Sequence, residues 1–114
     1  MPVIYKIVPE ALWAAAGPSG VFTGAPIDHA DGYIHFSTAG QARETAAKHF
    51  AGQHGLLLAA VDAKTLGPAL KWELSRGGAL FPHLYAPLQL HDCLWVMPLP
   101  LGPDGMHAFP ELAA

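Results

Sequence analysis

The chain alternates between stretches of period-two hydrophobicity, unbroken apolar runs and short turn-rich gaps. Val3–Val8 is β-branched and aromatic, which predicts a strand. Pro9 and Glu10 open a short helix to Ala16, where Gly17 and Pro18 stop it. Residues 20–30 read as loop, with a short extended piece at Val21 and Phe22. Residues 33–37 form the next strand. Thr38 follows as an N-cap with Gln41 at capping-box spacing, so a helix is expected from there to about Phe50. Ala39, Ala42, Ala46 and Phe50 share its apolar stripe.

Leu56–Val61 is continuously apolar and predicts a central strand covered on both faces. Leu70–Leu74 alternates, with Leu70, Trp72 and Leu74 expected inward and Lys71 and Glu73 outward or into a cleft. Gly77 and Gly78 turn the chain. Pro82 disfavours helix at Phe81, so Phe81–Tyr85 is extended. Leu94–Met97 is the last strand, and a Pro/Gly-rich tail follows over 99–114. The sum is an α+β domain: a mixed or antiparallel sheet with one or two packed helices.

Length and composition narrow the class. A chain of 114 residues supports one domain, residues 1–114, with its core over about 3–98. At 52% hydrophobic and 13% charged it is not disordered. No apolar run reaches the roughly 18–20 residues of a membrane span, and Met1–Lys6 lacks the pattern of a secretory signal, so a cytoplasmic location and no membrane partner are expected. Cys93 stands alone, which leaves no internal disulfide. The six Lys and Arg are scattered and the net charge is −3, which argues against a nucleic-acid partner. The seven histidines are the unusual chemical resource.

Candidate chemistry centres on residues 31–38. Strand alternation puts Tyr33, His35 and Ser37 on one face and Ile34 and Phe36 on the other. The apolar face packs on a core, so the histidine face looks into a cleft. A helix N-terminus follows at once and favours anions. His35 is the candidate acid/base group, and Ser37 and Thr38 offer hydroxyls; against this, Ser37 can simply start the helix cap. Phe81, His83 and Tyr85 share a face that suits ligand contacts, or an edge strand with packed aromatics. Glu73 can face a cationic sugar transition state, or pair with a nearby Lys or Arg. Lys6 or Tyr5 reaches the surface that carries His35, and Lys6 can bind phosphate. Asp28, His29 and Asp31 are potential metal ligands in a segment too short to complete a site, so no metal is expected there. A metal-assisted hydrolase built on His35, His83 and Glu73 is a separate alternative. Cys93 is expected to be a structural thiol, and His49, His54, His91 and His107 surface residues.

Taken together, Ile4–Ile7, Trp13, Asp31–Thr38, Gln41, Phe50, Asp62, Trp72-Glu73 and Phe81–Tyr85 resemble a family of small bacterial and plant domains of unknown function. The resemblance covers about residues 3–98. That family is similar to a compact member of the ADP-ribosylation fold, which implies a split sheet and an NAD-type ligand. By this likeness His35 and Ser37 hold the nicotinamide-side ribose. Tyr5 or Lys6 stands on the first core strand, and His83 or Glu73 fills the third position. The departures are Tyr33 in place of a histidine, no Arg on the first strand, and no Glu-x-Glu motif. The resemblance implies an NAD-dependent transferase or a degenerate relative. A non-catalytic module for a small anionic metabolite or a protein partner is the alternative.

Overall fold

The computed structural model describes residues 2–114, with Arg76 described by its backbone alone. Its centre is an antiparallel sheet of four strands in the order β4-β1-β5-β9. These are β1 (Val3–Pro9), β4 (Ser37–Thr38), β5 (Leu56–Asp62) and β9 (Cys93–Pro98). A second antiparallel sheet runs β3-β7-β6, made of β3 (Ile34–His35), β6 (Leu70–Leu74) and β7 (Leu80–Leu84). A short ladder joins β2 (Val21–Phe22) to β8 (Leu88–Gln89). The helices are α1 (Glu10–Ala16), α2 (Pro26–Asp31), α3 (Ala39–His49) and α4 (Ala63–Leu66). The α+β expectation with antiparallel sheets is met. Among the described residues, no helix is long and apolar enough to cross a membrane.

Alternation along β1 divides the core. Ile4 and Val8 point into one cluster with Phe22, Ile34, Phe36, Val61 and Leu84. Tyr5 and Ile7 point into the other with Ala46, Leu56, Leu58 and Leu99. As its unbroken apolar run predicts, β5 is covered on both sides, with Leu58 and Val61 fully buried in opposite clusters. Phe109 and Leu112 of the tail pack back on the second cluster.

The motif strand is not one strand. Its first half, β3, pairs with β7, and its second half, β4, pairs with β1. Phe36 makes the passage, its N–H donating to the Pro82 carbonyl (3.0 Å) while its ring is buried. One peptide segment therefore leaves one sheet and enters the other, and the sheets diverge beside it. Thr38 then starts α3, its N–H donating to Gln41 Oε1 (3.1 Å), and Gln41 Nε2 donates to the Leu80 carbonyl (2.8 Å), tying α3 to β7.

Two expectations need correction. Residues 26–31 are helix, not loop: Pro26 sits at the favoured first turn, and Gly32 ends the helix in the left-handed region (φ 86°). Leu74 is not inward but 73% exposed, and Trp72 on the same face is 39% exposed. The β6–β7 hairpin projects beyond the core there, so alternation still sorts its faces but neither is sealed near the tip.

Candidate functional site

Where the two sheets part, a cavity of about 560 Å³ opens. Lys6 and Ile7 of β1 form part of its lining, Thr45, His49 and Phe50 of α3 and its end another, and Tyr33, His35, Ser37 and His83 a polar wall. Phe36, Phe81 and Ile27 supply apolar surface.

Register builds the polar wall. His35 lies opposite His83 across β3–β7, and Lys71 lies opposite His83 across β7–β6. Residues opposite each other share a face, so the two imidazoles meet, their ring centroids 5.7 Å apart and nearly perpendicular. Tyr33 lies over both: its ring stacks on His83 at 4.0 Å and 25°, and contacts His35 at 4.6 Å and Tyr85 at 5.2 Å. A four-ring cluster thus joins the segment of residues 31–38 to the segment of residues 81–85.

Each histidine is backed by carboxylate. His83, only 3% exposed, has its Nδ1 2.8 Å from Glu73 Oε1, and the Tyr85 hydroxyl donates to the same oxygen (2.7 Å). Tyr85 and His83 hold the Glu73 carboxyl below the usual range. In return, the Glu73 carboxylate pushes the Tyr85 phenol up to about 12. His35 Nδ1 is 2.6 Å from Asp28 Oδ1, and its Nε2 is 2.9 Å from Asp31 Oδ2. The doubly protonated ring donates to both carboxylates at once; the neutral ring donates to one.

Asp28, noted from sequence only as a potential metal ligand, has a role that sequence reasoning missed. It is 2% exposed and pairs with Lys6 Nζ at 3.0 and 3.1 Å. Burial raises its proton affinity. The His35 hydrogen bond, the Lys6 charge and the N–H groups of Ala25 and His35 outweigh burial and hold the carboxyl well below the usual range. Lys6 is pushed down by its own burial, which the attraction of Asp28 only partly offsets. The partial signal was an Asp two residues after Pro26, an acidic first-turn position in a segment otherwise read as loop.

The remaining candidates fall as follows. Ser37 is 4% exposed, and its hydroxyl lies 3.0 Å from the Thr45 hydroxyl. Tyr5 borders the cavity, yet its hydroxyl donates to the Ala113 carbonyl (2.6 Å). Thr38, Glu73 and Tyr85 are not lining residues: Thr38 caps α3, and the other two stand behind His83 and beside Tyr33. His49, expected as a plain surface residue, is on the cavity rim. Among the described residues, no three His, Cys, Asp or Glu side chains group to hold a metal ion. The two nitrogens of His35 face different carboxylates instead. The Cys93 thiol is pushed up to about 11 by burial and by Asp92, so it is a poor nucleophile.

The family model for a protein of unknown function, DUF952, matches residues 7–96. The chain belongs to the DUF952 family. The match takes in the end of β1, the whole polar wall and most of β9, so the polar wall lies inside the matched segment, while Tyr5 and Lys6 of the cavity lining stand just before it. This DUF952 domain is similar to the crystal structure of protein CC0527 from Caulobacter crescentus, at 52% identity and TM-score 0.89, with 93% of each chain covered. The solution structure of CC0527 gives 53% identity and TM-score 0.84, over 93% of this chain and 91% of that one. No curated protein matches it.

Proposed function

We propose that this DUF952 domain binds an NAD-type ligand in the cleft between its two sheets, with the N-glycosidic end against Tyr33, His35 and His83. The observation that carries the reading is the convergence of both motif histidines on one cavity, with Tyr33 stacked on His83 and in contact with His35. The volume suits a small organic ligand, since such pockets run roughly 300–1,000 Å³. Tyr33, Phe36 and Phe81 offer flat apolar surface to a base, and Ser37 a hydroxyl to a ribose. Lys6 is already paired with Asp28. The described side chains therefore suit the nicotinamide riboside half better than the diphosphate.

The electrostatics favour the same end. Asp28 and Asp31 flank one imidazole and Glu73 the other. Such a frame stabilises a cationic glycoside and positive charge on a ribose as its leaving group departs. The reading extends to ADP-ribosyl-transfer-like chemistry, in which Glu73 acts through His83 and not by direct contact. A second reading, a non-catalytic binding module, is favoured by one observation: both nitrogens of His35 are already engaged by carboxylates.

A thermal-shift and calorimetric titration with NAD, ADP-ribose, nicotinamide riboside and nicotinamide tests this, run on wild type and His35→Ala. Saturable binding in wild type, weakened at least tenfold in the variant, is expected. Turnover of bound NAD to free nicotinamide separates the enzyme from the binding module. Absence of binding in a folded wild type overturns the proposal.

A further inference from the structure

Asp28 takes donors from three directions. Lys6 Nζ reaches it from β1, the Ala25 N–H (2.8 Å) from the start of its own helix, and the His35 N–H (3.1 Å) and Nδ1 (2.6 Å) from β3. A carboxylate offers about four lone-pair sites, so these four donors exhaust it. Asp28 is therefore not a group that meets a ligand. Its hydrogen bonds to both the main chain and the ring of His35 leave that ring one orientation. Asp31 differs: its side chain is 42% exposed, it holds only the outer nitrogen of His35, and Gly32 follows it.

We infer that Asp28, with Lys6 beside it, is the positioning residue of the cleft: it keeps the proton of His35 on Nδ1 and presents Nε2 to the cavity mouth, where Asp31 is a displaceable partner. The hydrogen bond made by one ring nitrogen sets what the other can do. With Nδ1–H committed to Asp28, Nε2 is the working atom of His35. An incoming hydroxyl donates to Nε2 of the neutral ring, whereas a carbonyl or phosphate oxygen, in the place that Asp31 Oδ2 holds, accepts from the Nε2–H of the doubly protonated ring. The inference rests on His35 being the contact group of the cleft, as read above, but not on which ligand enters.

The test is long-range proton–nitrogen correlation of the histidine rings on the full chain, with His35 assigned by its loss in His35→Gln. Wild type is expected to show His35 protonated at Nδ1, with a downfield, slowly exchanging proton. Lys6→Met/Asp28→Asn removes both buried charges together and keeps the volume close. It is expected to stay folded and to lose that Nδ1 signature in favour of the Nε2–H form. Asp31→Asn is expected to leave Nδ1 protonated. A folded double variant with an unchanged His35 tautomer overturns the inference. If the double variant does not fold, the wild-type spectrum decides: a neutral His35 protonated at Nε2 overturns it. An NAD titration of the folded double variant is expected to be weaker than wild type. If NAD fails to bind wild type, the ligand reading falls while the tautomer still decides the role of Asp28.

Discussion

Removing the Asp28 carboxylate strands a buried ammonium. Lys6 is 4% exposed and Asp28 2%, and breaking such a pair from one side costs about 3–5 kcal/mol. Asp28→Ala is therefore expected to lower unfolding stability by about that amount in denaturant titration. Lys6→Met/Asp28→Asn, which leaves no buried charge unpaired, should cost less. The pH dependence follows from the lowered Asp28 proton affinity in the fold. A carboxyl held below its unfolded value of about 3.9 contributes stability above that pH and loses it as pH falls through the folded value. Wild type is expected to lose stability steeply below about pH 4, and the double variant less so, by circular dichroism along an acid series. At this scale the sequence reveals side chains placed by strand alternation better than those placed by tertiary assembly. His35, Glu73 and His83 announce themselves because alternation fixes their faces. Asp28 does not, because its role comes from Lys6 and His35, which reach it only once β1, α2 and β3 are assembled.

At the level of elements, α2 and the β6–β7 hairpin shape the cleft. Gly32 has φ 86°, and a Cβ there meets nothing within 4 Å. Gly32→Ala should thus cost about 1–2 kcal/mol from backbone conformation alone. It should also loosen the Asp31–His35 contact, visible as broadening of the His35 Nε2 resonance. Just past the hairpin, the Tyr85 phenol is pushed up to about 12 because it donates a hydrogen bond to the Glu73 carboxylate. Glu73→Gln removes the charge that resists ionisation, so Tyr85 should titrate closer to the ordinary value of about 10. Ultraviolet difference spectra against pH check this, with Tyr85→Phe to identify the step. Element types were legible wherever pattern and length agreed, as in β1, β5 and α3. The split of residues 33–38 between two sheets was not, because each half takes a different partner strand and the side-chain pattern runs unbroken through Phe36. The helix of residues 26–31 was hidden by its shortness and its opening proline, and Leu74 by a hairpin tip that outruns the core.

For the molecule as a whole, β1 does two tasks: Lys6 and Ile7 border the site, and the Tyr5 hydroxyl holds the tail. The Tyr5 hydroxyl bonds Ala113, and Phe109 and Leu112 cover the second cluster. Deleting residues 109–114 should cost about 2–3 kcal/mol by lost apolar burial, yet leave the four-ring cluster in place. Denaturant unfolding and the ring-proton shifts of Tyr33 and His83 read these separately. The central claim is that the parted sheets hold one ligand site at Tyr33, His35 and His83. Chemical-shift mapping during an NAD titration tests it most directly. The account predicts saturable shifts at Tyr33, His35, Ser37 and His83, with β9 and residues 109–114 unmoved. Shifts gathered instead around Arg43, Met106 and Phe109, or none at saturating NAD, would contradict it.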